Sequence, residues 1–318
     1  MKLDKFVLAI ICTIIIAYFI PQFGLETSVI PLEIISSVGI SFIFFFYGLK
    51  LNGEKLKDGL KNWKLHLLIQ LSTFLLFPLL VLIFYPFIQS KEAHLLWLAI
   101  FFMAALPSTV SSSVVMVSMA KGNIPSAIFN ASISGIIGIA LTPLFVGFFT
   151  NNTSANFDYS SVYLKLIIEI ILPVVLGIFL QRFFGKYANK YSTQLSLFDK
   201  SVILLIIYKS FAKSFHQKIF STVSLFDFIL LFSIVIVLFF IIYYFIGFIA
   251  NKLNFSLEDK ITAQFCGTKK SLVHGTVFSK VLFGTSAVSG FFLLPIMLFH
   301  AIQILIISII ARKLGARN

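Results

Sequence analysis

Residues 95–123 read LLWLAIFFMAALPSTVSSSVVMVSMAKGN, and this stretch decides the fold. An apolar run long enough to enter a bilayer meets Pro107, which lacks a backbone donor and disfavours helix at Leu106. Ser108, Thr109, Ser111, Ser112 and Ser113 follow, with hydroxyls that compete for freed backbone groups. A second stretch, residues 256–283, reads SLEDKITAQFCGTKKSLVHGTVFSKVLF. It carries Gly267, Thr268, Lys269, Lys270, Ser271, His274 and Gly275 around its middle. Gly267 stands 160 residues after Pro107, half the length of the 318-residue chain. One Pro kink with Ser back-bonding is ordinary in a spanning helix. Two broken helices at corresponding places in two halves point to a binding site at the membrane midplane.

The composition agrees. The chain is 59% hydrophobic and 12% charged, whereas a soluble domain carries about 25% charged residues. A soluble fold of this size could not cover so much apolar surface. In lipid only helices and closed barrels satisfy the backbone, and the long continuous apolar runs lack the alternation of a barrel strand. The chain is therefore expected to be an all-α polytopic membrane protein. With about 20 apolar residues per spanning helix, the hydrophobic fraction suits ten. The net charge of +13 reads as the positive-inside rule rather than as a nucleic-acid surface. Cys12 and Cys266 both lie in apolar segments and suggest neither a disulfide framework nor a cysteine-based zinc site.

Ten spans can be drawn, at about 6–20, 30–50, 64–87, 95–120, 124–149, 161–180, 199–215, 223–250, 256–282 and 286–311. The seventh is the weakest, because Tyr208, Lys209, Ser210, Lys213 and Ser214 interrupt it. With the N-terminus cytoplasmic, 17 Lys and Arg fall in the inner segments, against Lys91, Lys213, Lys218 and Lys280 in the outer connections. That ratio places both termini inside. The chain midpoint falls in the polar stretch 150–161, with five spans on either side. An odd number per half implies that halves sharing a fold are inverted relative to one another.

Lys269 and Lys270 give the strongest single signal. A charge at a helix centre costs about 2.5–3.5 kcal/mol on insertion scales, and adjacent lysines cannot easily both snorkel. They are expected to face a wet cavity, pair with carbonyls at a helix break or contact an anion. A tilted or shortened ninth span that lets one of them reach a polar boundary is the alternative. Ser126, Asn130 and Ser134 fall at i, i+4 and i+8 on one face of the fifth span, where small polar residues serve packing as readily as ligation. Gln70, Ser72 and Thr73 add polar groups in the third span, and His300 and Gln303 in the tenth. Glu169 is the one clearly embedded carboxylate, placed to pair with Lys165 at i, i+4.

The segments LPSTVSSSVVMVSMAKGNIPSAIFNASISGIIGIALTPLFVGF, FCGTKKSLVHGTVFSKVLF and LPIMLFHAIQILIISIIARKL together resemble the bile acid:sodium symporter family, closest to its bacterial symporter-like branch. The resemblance implies ten helices in two inverted five-helix repeats, with discontinuous helices 4 and 9 crossing. Spans 1, 2, 6 and 7 (1–60 and 151–220) would form a panel, and spans 3–5 with 8–10 (61–150 and 221–318) a core. Substrate would enter between the two. In sodium-coupled members, polar residues of spans 4 and 5 hold the ions together with an acid and a Gln near the span-9 break. Here Phe265 stands where the acid is expected and Lys269 where the Gln is expected. An ammonium would then supply the charge that sodium brings.

The leading expectation is a secondary transporter of a small organic anion in the cell (inner) membrane, with no cofactor and with sodium, a proton or neither as coupling ion. Its polar centre would comprise Gln70, Ser111, Ser112, Ser113, Ser126, Asn130, Ser134, Thr268, Lys269, Lys270, Ser271 and His274. No firm metal site is expected, because Lys269 replaces the sodium. Two other classes are open. One is a scaffold protein that kept the fold without transport. The other is an intramembrane Ser–Lys enzyme, although no HExxH, paired intramembrane Asp or GxSxG is present.

Overall fold

A computed structural model describes residues 5–25, 28, 30–51, 62–109, 111–150, 164–218, 224–283 and 288–317. The polar stretch read as the central connection lies largely outside these residues. Among the described residues the protein is all helical, with no strand. Its α-helices are α1 (Lys5–Phe19), α2 (Leu32–Lys50), α3 (Trp63–Leu71), α4 (Phe77–Leu82), α5 (Lys91–Ala105), α6 (Ser111–Met119) and α7 (Ile124–Thr150). They continue with α8 (Leu172–Lys190), α9 (Ser192–His216), α10 (Leu225–Lys252), α11 (Leu257–Gly267), α12 (Leu272–Phe283) and α13 (Ser289–Gly315). Single π-helical turns occupy Ser72–Leu76, between α3 and α4, and Ile167–Ile171, ahead of α8.

Six helical segments among the described residues are long and apolar enough to cross a membrane: Leu32–Lys50, Trp63–Phe87, Ile124–Thr150, Leu164–Lys190, Leu225–Lys252 and Ser289–Gly315. The protein is a multi-pass membrane protein. The two stretches read as broken helices are interrupted. Helix α5 ends at Ala105 and α6 begins at Ser111; α11 ends at Gly267 and α12 begins at Leu272. Leu106, which precedes Pro107, is extended with φ −72° and ψ 150°, as the proline ring requires. The starts of α5 and α11 are capped by serine. Ser90 Oγ accepts the Ala93 N–H at 3.1 Å and Ser256 Oγ accepts that of Asp259 at 3.2 Å. Acidic residues in both first turns complement the helix dipole.

The chain divides into two units. One comprises Met1–Asn52, Ser154–Ser224 and Thr276–Leu293, and the other Gly53–Thr153, Leu225–Gly275 and Leu294–Asn318. In the first, α2 packs against both α8 and α9, and α1 packs against α9. Its charged residues depart from two expectations. Glu169 lies 3.5 Å from the ammonium of Lys280, which also lies 3.3 Å from Glu33 and donates to Ser37. The partner of Glu169 thus comes from another helix rather than from the preceding turn. Lys280, placed by sequence in an outer connection, is 8% exposed within α12. The seventh span also forms one continuous helix, α9, despite its polar residues. Lys209 pairs with Glu33, and Ser214 Oγ accepts the Gly290 N–H at 3.2 Å.

In the second unit α11 packs against α3, α6, α7 and α10, and α5 packs against α4 and α7. Residues Trp97 to Leu106 are buried without a gap, so the first broken helix enters the interior of this unit.

Candidate functional site

A helix that stops inside a protein exposes carbonyls that must find donors. The end of α5 meets this demand almost entirely with side chains from distant segments. The Ala105 carbonyl accepts Thr142 Oγ1 at 2.7 Å. Those of Ala104 and Leu106 accept Lys270 Nζ at 2.6 and 2.9 Å. The Pro107 carbonyl accepts the backbone N–H of Ser271 at 2.8 Å. In the other direction, Ser108 Oγ donates to the Cys266 carbonyl at 2.7 Å, and the Ser108 N–H donates to Ser134 Oγ at 2.9 Å. The two helix breaks therefore meet and satisfy one another's backbone.

Glycine makes the meeting possible. A Cβ at Gly138 of α7 would fall 2.7 Å from the ring of Pro107, and one at Gly275 would fall 2.8 Å from Leu106. A methyl at Gly138 would press on the rigid proline ring, and one at Gly275 on the movable end of the Leu106 side chain.

The two lysines are both fully buried, yet their surroundings differ. Lys269 Nζ donates to the Ser112 carbonyl at 2.8 Å, in the first turn of α6. Lys270 Nζ donates to the carbonyls of Thr73 (2.7 Å), Ala104 and Leu106, and lies 4.2 Å from the ring centroid of Phe77. Thr73 belongs to the π-helical turn after α3, a distortion that recurs at functional sites. Gln303 holds the Lys270 backbone on both sides. Its Oε1 accepts the Lys270 N–H and its Nε2 donates to the Lys270 carbonyl, each at 2.9 Å.

The other predicted residues fall into local groups. Ser126, Asn130 and Ser134 form one buried face of α7. Gln70 Nε2 donates to Asn130 Oδ1 at 3.1 Å, and Asn130 Nδ2 bonds His66 Nδ1 at 2.7 Å and the Ser126 carbonyl at 2.9 Å. Ser112 Oγ and Ser113 Oγ each lie 3.1 Å from Thr109 Oγ1. The Ser111 side chain lies outside the described residues. Thr268 turns its hydroxyl back onto the Gln264 carbonyl at 2.6 Å, closing α11. Ser271 caps α12, with Oγ 2.9 Å from His274 Nδ1 and 3.3 Å from the His274 N–H. The structure thus joins Lys269 to Ser112, Gln70 to Asn130 and Ser271 to His274, while Thr268 serves its own helix.

Four residues at this centre were not picked out as site residues: His66, Thr73, Phe77 and Gln303. Three had a readable signal. With Gln70 they stand at i, i+4, i+7 and i+11 (His66, Gln70, Thr73, Phe77), one stripe of a single helix.

Similarity to known proteins runs along nearly the whole chain. A family profile described as the SBF-like CPA transporter family matches residues 4–316. A Pseudomonas aeruginosa protein whose name records no function is 36% identical over 315 residues, covering 99% of this chain and 94% of the relative. The Escherichia coli protein YfeH, whose name proposes a symporter, is 33% identical over 312 residues, covering 98% and 92%. Sodium/bile acid cotransporter 7 of Rattus norvegicus is 28% identical over 311 residues, covering 96% and 91%.

Proposed function

The chain belongs to the SBF-like CPA transporter family, and from that premise we propose that it moves a small organic anion across the cell (inner) membrane by alternating access. The observation that carries this reading is the meeting of the two helix breaks through Ser271–Pro107 and Ser108–Cys266. Discontinuous helices crossing at one place are how secondary transporters build a site from backbone ends. The start of α6 is the positive end of a helix dipole, and the Lys269 ammonium lies against it at Ser112. Two positive features at one point favour a carboxylate or sulfonate.

The helical segments allow ten passes, five in each half: α1, α2, α3/α4, α5/α6 and α7, then α8, α9, α10, α11/α12 and α13. We read these as inverted repeats, with spans 1, 2, 6 and 7 as a panel and the rest as a core. The distribution of Lys and Arg supports a cytoplasmic location for both termini.

Relatives named sodium/bile acid cotransporter suggest cation coupling. Phe265 and Lys269 at the expected oxygen-ligand positions argue that this chain supplies its own positive charge. A permanently charged lysine makes uptake independent of the cation gradient, and one that titrates couples it to protons. An enzymatic reading gains nothing from the geometry. Among the described residues, both ammonium groups bond carbonyls and no serine hydroxyl is bonded to either one. Uptake of labelled organic anions into proteoliposomes, under sodium, potassium and proton gradients, tests the proposal. Saturable uptake that survives replacement of Na⁺ by K⁺ is expected. No uptake of any anion under any gradient would favour a protein that kept the fold without the activity.

A further inference from the structure

Neighbouring lysines with identical burial have opposite surroundings, and this separates their roles. We propose that the carbonyls of Thr73, Ala104 and Leu106 form a monovalent-cation site, occupied in this protein by the ammonium of Lys270. Lys269 is then the residue left to contact substrate.

An ammonium has three donors and no acceptor. Lys270 Nζ spends all three, at 2.7, 2.6 and 2.9 Å, on carbonyls from the π-helical turn and the end of α5. None is left for a ligand. Its surroundings are electronegative throughout. Ala104 and Leu106 lie at the negative end of the α5 dipole, and the face of Phe77, 4.2 Å away, adds the attraction of a ring quadrupole. Oxygen ligands of this kind are what a hard monovalent cation takes. The residue is also fixed at its backbone, because Gln303 bonds both its N–H and its carbonyl. Moving Lys270 would strip three buried carbonyls of this donor and Gln303 of both its contacts to the Lys270 backbone.

Lys269 is placed differently. Among the described residues its ammonium has one acceptor, the Ser112 carbonyl, and it lies at the positive start of α6. That position is unfavourable for a cation unless an anion joins it. Assigning Lys269 to substrate rests on the transport reading. The cation cage does not, and its test needs no transport.

Lys270→Ala leaves three carbonyls converging on an empty space sized for an ammonium. Ions of about that radius, K⁺ and NH₄⁺, should fill it. The experiment is thermal unfolding of the detergent-purified full chain in KCl, NH₄Cl and choline chloride at matched ionic strength. Expected is a melting temperature for Lys270→Ala that is depressed in choline and rises saturably with K⁺ or NH₄⁺. The unmodified protein and Lys269→Ala should respond equally to all three salts. Lys270→Met, which fills the space without a charge, should be destabilised and stay so in every salt. A Lys270→Ala protein equally unstable in the three salts, or not recoverable folded even in K⁺, overturns the cation site. So does a specific K⁺ response in the unmodified protein. Absence of anion uptake would sink the transport reading and leave these melting curves to decide the cage.

Discussion

Gly48 and Gly177 lie backbone against backbone: a Cβ on Gly48 would fall 3.0 Å from the Gly177 Cα, and one on Gly177 would fall 2.9 Å from the Gly48 Cα. Each new methyl would also strike a backbone carbonyl, that of Val174 or that of Phe45. Small residues let helices in lipid approach this closely, where packing replaces the hydrophobic drive. Gly48→Ala and Gly177→Ala are each expected to destabilise the protein by about 1–3 kcal/mol through overpacking. Thermal unfolding in detergent checks this. Unchanged melting of both variants would mean that α2 and α8 separate at no cost.

Lys280 is expected to be the keystone of the first unit's charges. Its side chain is 6% exposed and that of Glu169 is 13% exposed, so Lys280→Met leaves a nearly buried carboxylate without its ammonium. Breaking such a pair from one side costs about 3–5 kcal/mol. Glu33 is 54% exposed and keeps Lys209, so its loss adds little. Lys280→Met with Glu169→Gln should recover much of the deficit. A double variant no more stable than Lys280→Met alone would show that the two charges do not act as a pair.

The origin of these partnerships explains what sequence could and could not reveal. The breaks at Pro107 and Gly267 were legible, because a proline's missing donor and glycine's poor helix propensity act locally. So was the buried face of Ser126, Asn130 and Ser134, which follows from helical period alone. Lys280 with Glu169 was not, since 111 residues separate them and nothing local selects Lys280 over Lys165 as the partner. The difference between Lys269 and Lys270 was equally hidden. It depends on which of two adjacent side chains points at the end of α5, and that is decided by Gln303 gripping the Lys270 backbone from another helix.

Orientation can be tested apart from the site. Single cysteines placed in Asn151–Ser160 should react with a membrane-impermeant maleimide in intact cells, in a background with Cys12 and Cys266 replaced. Cysteines near either terminus should react only after permeabilisation. The basis is the excess of Lys and Arg in the segments drawn as inner under the positive-inside rule, an excess that the burial of Lys280 within α12 only widens. The reverse labelling pattern would invert the topology.

The last expectation concerns coupling and returns to α11. Phe265, in the last turn of α11, and Lys269, in the break that follows it, are both fully buried; they stand where sodium-coupled relatives are expected to carry an acid and a Gln. Lys269→Gln alone removes the charge at the start of α6 and should raise the substrate concentration needed for half-maximal uptake, with no gain of sodium dependence. Phe265→Glu alone should be poorly tolerated, because position 265 is fully buried and a carboxylate there loses its hydration. Together the two changes restore oxygen ligands and remove the resident ammonium at position 269, while Lys270 stays in its carbonyl cage. The double variant is therefore expected to fold better in Na⁺ than in K⁺ or choline, and to show sodium-dependent uptake that the unmodified protein lacks. Steep, saturable sodium dependence in the unmodified protein would overturn this argument, because the ion would then be held by residues other than these two.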